Sequence, residues 1–106
     1  MAAQYIPVAK PEEIEEGTVL MVEVSGARLG VCKVEGRIYA FEDVCTHDDG
    51  PLAEGELSGC AIECPRHGAR FDVRTGAVLS MPAVVPIRTF PVQVQGDQVL
   101  VDVEKL

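Results

Sequence analysis

The chain holds two histidines, and each sits beside a cysteine. The pairs are Cys45-Thr46-His47 and Cys64-Pro65-Arg66-His67, with sixteen residues between His47 and Cys64. Together they read C-x-H-x16-C-x-x-H. Two thiolates and two imidazoles on two opposed loops suffice to close around one inorganic centre. Donor softness leaves two candidates, tetrahedral zinc and a binuclear iron–sulfur cluster. Ligand order separates them. A zinc finger keeps its cysteines together and its histidines together. Here each loop supplies one of each. In a binuclear cluster one iron can take both thiolates and the other both imidazoles.

The elements that must hold these loops are strands, because the dominant apolar period is two. Residues 18–24, 28–34 and 37–41 read as three strands of an antiparallel meander, turning at Gly26 and at Glu35-Gly36. Residues 89–95 and 98–103 flank Gly96-Asp97, a glycine-first loop suited to a type II′ hairpin. The one helical candidate, residues 11–16, is barely a turn long. It opens on Pro11 and closes at Gly17, and its acid run from Glu12 to Glu16 reads as a solvated face. Residues 43–86 differ in texture, being rich in Gly, Pro, Cys, His and turn residues. Their strand signals are short, at 57–63, 69–73 and 77–79. The expected architecture is a single all-β domain over residues 1–106, an antiparallel sandwich or barrel. A small loop-rich subdomain at about 43–86 is grafted into it.

Composition narrows the function. The 106 residues carry nine basic against seventeen acidic side chains, a net charge of −8. Phosphate backbones and anionic membrane surfaces would repel such a chain. No stretch approaches the roughly 20 apolar residues of a membrane span, and the first seven residues do not read as a signal peptide. A cytoplasmic protein is expected, in which four cysteines serve as thiols or metal ligands rather than disulfides. Cys32 falls inside a strand and reads as a small buried hydrophobe. Cys60 lies on the strand leading into Cys64 and reads as a thiol outside the site.

The residues around the ligand pairs sharpen this. Cys64-Pro65-Arg66-His67-Gly68, followed by Phe71-Asp72 and Thr75-Gly76, together with Cys45-Thr46-His47, resembles a Rieske protein. The resemblance implies the Rieske-type fold and one [2Fe–2S] cluster on Cys45, His47, Cys64 and His67. It further implies a shell of Thr46, Pro65, Arg66, Gly68 and Pro82. Gly68 would turn the second loop tightly, and Pro65 would stiffen it. Met81-Pro82-Ala83 is similar to the proline loop that covers the cluster in this family. Phe71 reads as core packing beneath the loop.

Departures from the wider family are informative. Its respiratory and photosynthetic members carry an extra cysteine in each loop, joined as a disulfide. The matching positions here are Gly50 and Arg66, so that bridge cannot form. The serine hydroxyl that often follows H-G is replaced by Ala69. Fewer hydrogen bonds to sulfur, with Asp43, Asp48, Asp49 and Glu63 nearby, imply a low potential of about −150 mV. Rieske oxygenases also hold a mononuclear iron on two histidines and a carboxylate. With both histidines on the cluster, this chain has none to spare. It therefore resembles the small ferredoxins of ring-hydroxylating oxygenase systems, which are electron carriers rather than catalysts. The implied partners are a flavin-containing reductase and a terminal oxygenase, each docking transiently on a monomer at the His47/His67 tip. Arg66 and Arg70 read equally as docking groups or as loop ion pairs. Alternative readings are a small subunit of a nitrite-reductase-like enzyme, a carrier for another pathway, and a zinc-binding interaction module.

Overall fold

The computed structural model describes residues 3–46, 50–66 and 68–104. The strands among the described residues are β1 Tyr5–Ala9, β2 Val19–Val24, β3 Ala27–Val34, β4 Arg37–Glu42, β5 Glu56–Ser58, β6 Ala61–Glu63, β7 Arg70–Asp72, β8 Val78–Ser80, β9 Thr89–Phe90, β10 Val92–Gln95 and β11 Gln98–Asp102. They build three antiparallel sheets, ordered β1-β11-β10, β2-β3-β4-β9 and β5-β6-β7-β8. The all-β expectation holds. Helical structure among the described residues is one 3₁₀ turn at Pro11–Glu13.

The middle sheet is a shared wall. Strand side chains alternate between faces, and here both faces are covered. Leu29, Val31 and Ala40 join Val99, Val101 and Ile14 in one apolar cluster against the first sheet. Cys32, Val34 and Phe41 point the other way and join Ile62, Phe71 and Val73 of the third-sheet region. That is why β3 runs buried at four consecutive positions, as strands covered on two sides do. Cys32 is fully buried within β3 as expected, and desolvation pushes its thiol up to about 12.

The meander matches its sequence pattern. Ser25-Gly26 and Glu35-Gly36 take positive φ at both positions, the signature of type I′ turns. Gly96 alone is positive in the last hairpin, in keeping with type II′. Three readings change. Residues 89–95 are two strands, because Pro91 lacks the N–H a continuous ladder needs. The chain switches sheets there, β9 pairing with β4 and β10 with β11. Residues 57–63 are a hairpin, with Gly59 at φ +60 between β5 and β6. Cys60 therefore sits in a turn, not on a strand. β1 has a broken pattern because Pro7 interrupts it. It lies at a sheet edge beside β11, and its register slips just after Pro7.

The acid run is also more than a solvated face. The helical turn ends at Glu13, Ile14 turns inward to 2% exposure, and Glu16 reaches the Glu35-Gly36 turn. Its carboxylate accepts the Glu35 N–H at 2.7 Å and the Gly36 N–H at 2.9 Å. These bonds, Gly36's first, hold the Glu16 carboxyl below its ordinary 4.5. A depressed folded value stabilises the fold above 4.5, and that contribution fades as pH falls through the folded value. Glu16→Gln is therefore expected to lower the melting temperature at pH 7. The gap from the parent should close on acidification below 4.5, in melts across a pH series.

Candidate metal centre

Three loops converge at one end of the third sheet. The first, residues 43–55, leaves β4. The second, residues 64–69, joins β6 to β7. The third, residues 81–88, joins β8 to β9. Cys45 and Cys64 are 0% and 1% exposed and share one apolar cluster with Leu52, Ala69, Phe71 and Ala83. The structure thus brings the two predicted thiol ligands into one buried environment. His47 and His67 lie outside the described residues, as do Asp48 and Asp49.

Backbone bonds shape each ligand loop. Cys45 donates its N–H to the Gly50 carbonyl at 2.8 Å, which closes the first loop on itself. Cys64 donates to Ala69 at 2.7 Å, and Gly68 donates back to Cys64 at 3.2 Å. Gly68 sits at φ +78, where a side chain would strain the turn, so glycine is needed as the sequence suggests. Beneath the loop Phe71 is fully buried, the packing role expected of it.

The third loop is tied to both others. Thr46 Oγ1 donates to the Val85 carbonyl at 2.5 Å, and Ser80 Oγ donates to the Gly68 carbonyl at 3.2 Å. Ala83 packs at 1% exposure in the cluster that holds the cysteines, while Pro82 is partly buried beside it. The Met81-Pro82-Ala83 loop thus shares the apolar cluster of the two buried cysteines. Its outward side chains form an apolar rim, Met81 at 79% and Val84 at 80% exposure.

Of the remaining predicted shell residues, Pro65 sits in the exposed turn after Cys64, and Arg66 reaches across to Gly50. Arg70 faces Glu63 across the β6–β7 pair, with Nε 3.8 Å from Oε1 and both side chains partly exposed. The Phe71-Asp72 to Thr75-Gly76 box is a structural turn. Asp72 accepts the Arg74 backbone N–H at 2.8 Å and two N–H groups of its guanidinium, Nε at 3.0 Å and Nη2 at 2.9 Å. The Arg74 side chain is the largest cause holding the Asp72 carboxyl below the usual range.

Sequence reasoning missed one anchor. Asp43 is a fully buried carboxylate whose Oδ1 accepts the N–H groups of Leu52 at 2.6 Å and Ala53 at 2.5 Å. It pins the far end of the first loop to its start. An aspartate at a strand exit ahead of a Gly- and Pro-rich segment is the available signal, since Asx side chains commonly bond backbone N–H groups nearby. Ser80 and Val85 left no signal, because their contacts cross from one loop to another.

None of the four cysteines forms a disulfide. Two buried thiols in one apolar cradle, where the fold excludes water, are the soft donors an iron–sulfur centre requires. The donor chemistry present fits the cluster.

Comparison with known proteins agrees. Residues 4–91 match the Rieske [2Fe–2S] domain. The ferredoxin component of the naphthalene 1,2-dioxygenase system of Pseudomonas aeruginosa is 43% identical over 102 residues, covering 96% of this chain and 98% of that one. The ferredoxin component of biphenyl 2,3-dioxygenase from Rhodococcus jostii (strain RHA1) is 44% identical over 92 residues, covering 87% and 86%. Among solved structures, a chain in the complex of reduced oxygenase and oxidized ferredoxin of carbazole 1,9a-dioxygenase superposes with a TM-score of 0.91. It shares 40% identity and covers 99% of this chain and 98% of its own. With the paired thiols, the three converging loops and a match spanning most of its length, the chain belongs to the Rieske [2Fe–2S] domain family.

Proposed function

We propose that this protein is the ferredoxin component of a ring-hydroxylating oxygenase system, receiving electrons from a flavin-containing reductase and delivering them to a terminal oxygenase. The observation that carries this reading is the near full-length match to ferredoxin components, one of them in a complex with its oxygenase. Cys45 and Cys64 would hold one iron, and His47 and His67 the other. When bound, a [2Fe–2S] cluster supplies reversible one-electron chemistry. The chain's own residues bury the thiolate side, tie three loops together and exclude water. Residues 1–106 form one Rieske domain, with residues 43–86 as its cluster-binding subdomain. The protein works as a cytoplasmic monomer, and no helix among the described residues is long and apolar enough to cross a membrane.

Both partners use the histidine tip in turn. Electron-transfer contacts are small and short-lived, and the exposed Met81, Val84 and Val85 suit such a contact. The charge of −8 steers the approach toward basic partner surfaces. The test is stopped-flow transfer from a flavoprotein reductase with NADH, through this protein, to a naphthalene- or biphenyl-type oxygenase. Reduction by the first and oxidation by the second are expected. Val84→Asp should weaken docking by about tenfold and leave the reduction potential unchanged. A protein that exchanges no electron with either partner would refute the reading.

A further inference from the structure

The two predicted ligand loops also meet at Gly50 and Arg66. Gly50 is buried, and the space beside it is already taken. A β-carbon placed on Gly50 falls inside the guanidinium of Arg66, with Nη1 at 3.0 Å and Nη2 and Cζ closer still. Arg66 follows Cys64 by two residues, and the Gly50 carbonyl is the acceptor for the Cys45 N–H. The guanidinium thus lies against the residue that fixes one predicted ligand, while its own backbone adjoins the other.

We propose that Arg66 is a positioning residue whose guanidinium clamps the first ligand loop to the second across Gly50. The inference rests on Cys45 and Cys64 being the thiolate ligands. A planar side chain seated on a glycine lets the two loops pack at close range. Lysine cannot replace it, because an ammonium is a point donor without the flat face and fixed fork. A side chain on Gly50 and the loss of the guanidinium remove one and the same contact. Their effects must therefore overlap rather than add.

The experiment compares holoprotein variants Arg66→Ala, Arg66→Lys, Gly50→Ala and the Gly50→Ala/Arg66→Ala pair. Loss of visible absorbance in the presence of an iron chelator gives the rate of cluster release. The EPR line shape of the reduced protein reports ligand geometry. Arg66→Ala is expected to speed release by about tenfold, and Gly50→Ala by a similar factor. The double variant should release no faster than Arg66→Ala alone. Arg66→Lys, which keeps the charge, should still release fast and alter the line shape. Release at the parent rate in Arg66→Ala or Arg66→Lys, or multiplying effects in the double variant, would overturn the clamp. A parent protein that holds no [2Fe–2S] cluster would instead overturn the ligand reading on which the clamp rests.

Discussion

Replacing Cys64 with serine is expected to yield a colourless protein with iron close to zero. Serine keeps nearly the volume of cysteine, so the loop between β6 and β7 can still form its Cys64–Ala69 backbone bond. What disappears is the thiolate. A neutral hydroxyl is a poor iron ligand where soft sulfur is demanded, and it sits at a position only 1% exposed. Burying an unsatisfied hydroxyl adds about 1–3 kcal/mol of destabilisation. Cys45→Ser should behave alike. The contrast lies with the other two cysteines. Cys32 is buried in the wall sheet, and Cys60 sits in the β5–β6 turn. Cys32→Ala and Cys60→Ser should therefore keep full iron content and colour. Iron analysis and visible absorbance of the four variants check the assignment. Retained iron in Cys64→Ser, or lost iron in Cys60→Ser, would contradict it.

Asp43→Ala is expected to destabilise the fold and loosen the first loop together. The carboxylate holds two backbone N–H groups on one oxygen at a fully buried position. Alanine leaves both donors without this partner, at about 1–3 kcal/mol for the buried Leu52 N–H and less for the half-buried Ala53 N–H. For a domain of this size each kcal/mol lowers the melting temperature by roughly 4–8 °C. The damage falls on the first ligand loop, so cluster retention should drop with it. Asp43→Asn keeps an oxygen in the same place and should lose far less. Thermal melts of the two variants, read with iron content, separate the acceptor role from mere occupancy of space. Equal melting temperatures for Asp43→Ala and the parent would show that the loop does not depend on this anchor.

Much of this architecture is legible in sequence because local rules govern it. Alternation locates β2, β3, β4 and β11, and glycine-containing dipeptides locate their turns. C-x-H and C-P-x-H-G mark the loops proposed to carry the ligands, because cluster chemistry restricts both residue type and spacing. Illegible features depend on contacts between distant segments. Residues 89–95 alternate as one strand, yet Pro91 divides them between two sheets. Tyr5–Ala9 becomes a strand because β11 offers it an edge. Asp43, Ser80 and Val85 serve the site through bonds that span nine residues or more. Glu16 looks like one acid among four, and only the Glu35-Gly36 turn gives it a structural role.

The central claim, a one-electron Rieske centre, is tested most directly by a potentiometric titration of the purified protein followed by EPR. The expected result is a rhombic Rieske-type signal that appears in one reductive step at about −150 mV. It should integrate to one spin per chain bearing two irons. A protein that is colourless and EPR-silent after dithionite, with zinc in place of iron, would contradict the account.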